Sequence, residues 1–214
     1  MIRYMATTNS QRIGIWIIAV VLTVGTIGSF FVIILANKNA EVDNAANKTL
    51  QEKYNKLVAE YQAKVAAQNQ ELSAKYYSTL SQFSDRVGKF NAEDVKSVTS
   101  EDLLAGDGQE IKDGTSYSAY YIGWNPEGKI FDQSIDGNKL KAPLEGTGLI
   151  AGWNEGVKGM KLGGVRLITI NADKAYGDKG SGDLIPPHTP IKFIVLAIPT
   201  PTPVPTPDLS SITK

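Results

Sequence analysis

The stretch Gly152-Trp153-Asn154-Glu155-Gly156-Val157-Lys158-Gly159-Met160 decides how this chain is read. A lone tryptophan stands between glycines, and Val157 and Met160 follow it at roughly helical spacing, so the stretch reads as a short helix with Trp153 on one face. Strand-like runs flank it: Tyr117–Ile122 and Lys129–Phe131 before, Val165–Ile170 and Ile191–Ile198 after. One short helix amid several strands implies an α+β domain in which a sheet wraps around that helix. Trp153 is then either plain core or the floor of an apolar pocket.

The rest of the 214-residue chain divides around that domain. After a short N-terminal segment, 1–12, residues 13–36 form an uncharged apolar run. As a helix of roughly 24 residues it would extend about 36 Å, enough for a hydrocarbon core of about 30 Å. A cleaved signal peptide has a shorter apolar region, so the run is expected to be a retained, single-pass anchor. Arg3 and Arg12 precede it, whereas Lys38 behind it is offset by Glu41 and Asp43, which favours an extracytoplasmic location for the remainder. Residues 37–87 are rich in helix formers, and Leu50, Tyr54, Leu57, Tyr61, Val65, Leu72, Tyr76, Leu80 and Phe83 trace one helical stripe. This is a long helix: a stalk, a coiled-coil seam that makes a homo-oligomer, or an arm packed on the next domain. Gly88 marks its stop, and residues 88–198 are expected to form an independently folding globular domain. In 199–214 proline recurs at every second position from Pro199 to Pro207, which excludes helix and central strand and predicts an extended, solvated, polyproline-like tail.

Within the globular part five short motifs occur in order: Tyr121-x-Gly123; Gly128-Lys129-x-Phe131-Asp132-x-Ser134; Gly152-Trp153-x-Glu155-Gly156; Ala175-Tyr176-Gly177; and Ile185-Pro186-Pro187. In this order and spacing they resemble the FKBP family, the macrolide-binding peptidyl-prolyl isomerases, over about Ser100 to Ile198. The resemblance implies an antiparallel half-barrel sheet around the short helix, and prolyl isomerisation without cofactor or metal. It also implies a site: Trp153 under the prolyl ring, with Tyr121, Phe131 and Phe193 as walls. Leu149 and Ile150 lie along the edge, with the Ile150 N–H and the Tyr176 hydroxyl holding substrate carbonyls. Asp132 orients Tyr121 or polarises the amide, and Leu184 and Ile185 cap one side. Residues 138–143 lack the aromatic that often completes the wall in the family, which implies weaker macrolide binding.

The chemistry suits these residue types. Amide resonance sets the X–Pro barrier at about 18–20 kcal/mol. A dry, shape-fitting pocket that favours the twisted, less polar amide lowers it by differential binding, and no nucleophile is required. Lys and Arg balance Asp and Glu at 22 each, so no field draws the chain to nucleic acid. Cysteine is absent and His188 is the only histidine, which leaves no basis for a thiolate nucleophile or a Cys/His metal cluster. Gly146-Thr147-Gly148 misses the dinucleotide spacing. The leading expectation is a membrane-anchored prolyl isomerase whose partners are proline-containing exported or surface polypeptides. The alternative is an FKBP-like binding module or assembly scaffold with little turnover.

Overall fold

The computed structural model describes residues 44–212. These fall into two compact units, one formed by residues 44–67 with residues 203–212, the other by Gln68–Thr202. The apolar run 13–36, expected to be the anchor, lies outside the described residues. No helix among the described residues is long and apolar enough to cross a membrane.

Helix α1, Asn44–Ser81, is the long helix read from the sequence, and the Ser84–Arg86 stretch that follows is a single 3-10 turn. In the first unit Tyr54 is buried, with Leu50, Leu57, Val58 and Leu209 packed against it, so this part of the tail has an apolar partner. Pro201, Val204 and Pro207 are each half-buried, with exposed residues between them. That period matches the three residues per turn of polyproline II, and it corrects the expectation of a fully solvated tail.

In the second unit eight strands are β1 (Thr99–Leu104), β2 (Tyr117–Trp124), β3 (Ile130–Gln133), β4 (Ile135–Asp136), β5 (Lys139–Leu140), β6 (Leu144–Glu145), β7 (Val165–Ile170) and β8 (Ile191–Pro199). The main sheet runs β1-β7-β8-β2-β3, with β6 beside β2, while β4 and β5 make a separate hairpin. Every pairing in the main sheet is antiparallel. The short helix α2, Ala151–Val157, lies against one face. Its glycines allow the close approach: a Cβ on Gly152 would lie 2.2 Å from Cγ2 of Ile170, and one on Gly156 would lie 2.3 Å from Cγ2 of Ile168. Four residues apart, both glycines face β7, which turns Trp153 toward the rest of the core.

Alternation along β8 gives two apolar layers. Ile191, Phe193, Val195 and Ala197 join Trp153, Val157 and Met160 on the α2 side. Ile194, Leu196 and Ile198 join Tyr120, Ile122, Trp124, Leu140 and Leu80 on the other. There the end of α1 and the segment after it supply Leu72, Tyr76, Tyr77, Phe83 and Val87. The stripe from Leu72 to Leu80 therefore covers the sheet of its own chain and does not form a coiled-coil seam. The unit accordingly begins at Gln68 rather than at Gly88, because Leu80 is fully buried in it. Strand β1 was not anticipated from the sequence. Only Leu103 of its six residues is even partly buried, and its Thr-Ser-Glu-Asp composition carries no alternating apolar signal.

Candidate functional site

The α2 face of the sheet gathers the aromatic residues singled out above. Trp153 is only 2% exposed. Its ring meets Phe193 edge-on at 5.1 Å between centroids, and Tyr121 at 5.7 Å with the ring planes 88° apart. Phe131 meets Phe193 at 5.5 Å and 86°, and Tyr121 meets it at 6.0 Å and 68°. Four rings held edge to face are in a favoured electrostatic arrangement and are stiff. The backbone explains why they converge. Tyr121 and Phe193 sit on neighbouring strands β2 and β8, where Gly123 pairs with Phe193, and Phe131 comes from β3 on the far side of β2. Trp153 comes from α2 and meets Tyr121 and Phe193 directly, with Phe131 joined through Phe193.

Tyr121 donates its hydroxyl to Oδ2 of Asp132 at 2.5 Å, while Oδ1 of Asp132 accepts from the Gln133 amide at 2.8 Å. Burial, and then the neighbouring Asp132 charge and hydrogen bond, hold the Tyr121 phenol far above its ordinary range. It therefore stays a neutral donor at any physiological pH. Of the two roles considered for Asp132, this geometry corresponds to the one that orients Tyr121.

Ile150 is the residue that caps α2 at its N-terminus, and its carbonyl accepts from the amides of Trp153 and Asn154. Its own N–H precedes the first helical turn, where amides have no partner inside the helix. Leu149, Ile150 and Tyr176 are partly buried against the same core, and Ile185 is 1% exposed within it. Leu184 behaves differently. It is not among the residues packed on this core, and its carbonyl is engaged by Nδ2 of Asn125 at 2.9 Å.

Within residues 138–143 the expectation needs correction at Leu140. Leu140 is buried in the layer on the opposite side of the sheet, and its amide donates to Oγ of Ser73 at 2.7 Å. Lys139 pairs with Asp136, and Lys141 donates to the Gln133 carbonyl. An aromatic at Leu140 would meet α1 rather than the pocket, so Leu140 is not the position of a missing wall.

Sequence reasoning overlooked Tyr117. It is buried on the α2 side of β2 and its hydroxyl accepts the indole N–H of Trp153 at 3.0 Å. The pair is separated by 36 positions, and no local motif links them. A separate hollow of about 310 Å³ is lined by Phe90, Asn91, Val95, Thr169 and Lys192, with the Lys192 ammonium 4.7 Å from the Phe90 ring centre. Lys192 precedes Phe193 on β8 and so projects from the other face. Among the described residues there is no group of His, Cys, Asp or Glu suited to a metal ion.

Comparison with known proteins places the chain among relatives. Residues 108–197 match the family model of FKBP-type peptidyl-prolyl cis-trans isomerases. The chain is 41% identical over 100 residues to an FK506-binding protein of Neisseria meningitidis, a match that spans 46% of this chain and 92% of that protein. It is 46% identical over 83 residues to a probable FK506-binding protein of Corynebacterium glutamicum, spanning 38% of this chain and 69% of the relative. A crystal structure of a peptidyl-prolyl cis-trans isomerase from Pseudomonas syringae pv. tomato matches with a TM-score of 0.41 and 31% identity, over 47% of this chain and 73% of that one. The chain belongs to the FKBP-type peptidyl-prolyl cis-trans isomerases.

Proposed function

We propose that this isomerase is anchored in a membrane by residues 13–36 and turns over X–Pro bonds in exported or surface polypeptides. The observation that carries the pocket assignment is the set of four edge-to-face rings, Trp153 with Tyr121, Phe131 and Phe193, with Tyr121 locked to Asp132. The prolyl ring rests on the indole of Trp153 between Phe131, Tyr121 and Phe193. The Ile150 N–H and the Tyr176 hydroxyl hold flanking carbonyls, and Leu149 and Ile185 border the site. Twisting the amide removes its resonance and lowers its polarity, and an apolar enclosure then favours the twisted state over the planar ones. Tyr121 adds a neutral hydroxyl dipole without the cost of burying a free charge. Leu184 is left with a role in shaping the loop that delivers Ile185.

The anchor rests on the uncharged run between Ile13 and Ala36 and on Arg3 and Arg12 before it. Membranes carrying the full chain, washed in alkaline carbonate, should retain both the protein and its X–Pro isomerase activity. Protease added to the non-cytoplasmic side should remove the activity without lysis. Full-length protein released by the wash, or a domain digested only after the cytoplasmic side is opened, would contradict the topology while leaving the pocket assignment untouched.

A further inference from the structure

Tyr121 and Phe193 meet the Trp153 ring edge to face, but they do not fix how the indole lies in its own plane. Edge-to-face contacts are weakly directional about the ring normal, whereas a hydrogen bond at Nε1 defines one in-plane direction. That bond goes to Tyr117, whose hydroxyl is 3.0 Å from Nε1 in a buried setting. Tyr117 itself is 5% exposed. Burial raises its phenol above the ordinary value, and the indole hydrogen bond opposes this only in part, so the hydroxyl is neutral and available to accept.

The chain makes room for this tyrosine at a specific place. A Cβ on Gly146 would lie 2.4 Å from both Cε1 and Cζ of the Tyr117 ring, closer than any side chain allows. The Gly146 amide donates to the Tyr117 carbonyl at 2.9 Å, so the glycine is held against the residue it accommodates. Ring, hydroxyl and glycine therefore form one unit behind the floor of the pocket.

We propose that Tyr117 is a positioning residue of the isomerase: its hydroxyl sets the in-plane orientation of Trp153, and Gly146 provides the space its ring requires. The proposal rests on Trp153 being the pocket floor. Tyr117 lies behind the indole and does not touch the substrate. Its loss leaves an apolar floor for ground-state binding but lets the indole shift relative to the twisted amide, so kcat falls more than KM rises.

The test uses the full-length chain in detergent. Tyr117→Phe keeps the ring and the packing and removes only the acceptor. It should lower kcat on an Xaa–Pro peptide about tenfold with KM within about twofold, the size of effect of one buried hydrogen bond. The Trp153 indole N–H resonance should move upfield and exchange faster with solvent. Gly146→Ala, which displaces the ring, should reproduce both changes. Tyr120→Phe, on the opposite face of the same strand, should produce neither. A Tyr117→Phe enzyme with wild-type kcat and an unmoved indole resonance overturns the proposal. If Trp153→Ala lowers activity in that case, only the positioning role fails. If Trp153→Ala is also fully active, the floor assignment fails with it.

Discussion

Tyr120 and Tyr121 are adjacent on β2 and face opposite layers, and their hydroxyls have opposite circumstances. Tyr121 is satisfied by Asp132, whereas the Tyr120 hydroxyl is buried with no hydrogen-bond partner among the described residues. An unmatched buried hydroxyl costs stability, so Tyr120→Phe should stabilise the domain at pH 7 by up to about 1 kcal/mol, measured as a higher urea midpoint at unchanged slope. Burial, with a smaller contribution from Tyr76, pushes the Tyr120 phenol up to about 12. A free tyrosine titrates near 10, so the folded state favours the neutral form. That contribution is complete below about pH 10 and is lost as pH rises toward about 12. Wild-type stability should therefore fall across this window, and less steeply in Tyr120→Phe. A variant destabilised at pH 7 would mean that the hydroxyl has a partner after all.

Among the elements, α2 depends on a residue outside it. Arg166 on β7 is 7% exposed and donates Nη1 to the carbonyls of Gly156 and Lys158 at the C-terminal end of α2, at 3.0 Å each. Its Nε and Nη2 grip Asp102 of β1 at 2.6 and 3.1 Å. One guanidinium thus ties the edge strand, the central sheet and the end of the helix that carries Trp153. Arg166→Met should cost about 2–4 kcal/mol in urea denaturation, because the helix carbonyls and Asp102 lose their donor together. Asp102→Asn should cost less, since the Asp102 side chain is half exposed to water. Equal losses for the two variants would place the energy in the ion pair rather than in the helix end. The same region shows what a sequence makes legible. The Trp153 stretch, the strands β7 and β8 and the five motifs carry local patterns, and the helix, sheet and aromatic cluster follow from them. Strand β1 has no pattern because it is an exposed edge, and its pairing is set by backbone bonds to β7. The Tyr117–Trp153 bond and the side of the sheet taken by Leu140 depend on tertiary packing, which spacing along the chain does not encode.

For the molecule, the compact unit Gln68–Thr202 includes the last turns of α1 because the sheet is apolar on both faces. A fragment from Gly88 to Thr202 leaves Ile194, Leu196 and Ile198 without Leu80 and its neighbours. Leu80→Ala alone should cost about 2–5 kcal/mol, and the shorter fragment should aggregate or unfold at markedly lower urea than one begun at Gln68. Equal stability of the two fragments would make the helix end dispensable. The central claim is that an apolar pocket floored by Trp153 performs the isomerisation without nucleophile or metal. Its most direct test is the cis–trans exchange rate of a short Xaa–Pro peptide, measured by exchange NMR with the full-length chain in detergent and with its Trp153→Ala variant. The expected result is acceleration by the wild-type protein that survives chelator, and a loss of at least about tenfold in kcat/KM in a variant that remains folded. A folded Trp153→Ala protein that exchanges the peptide at the wild-type rate would contradict it.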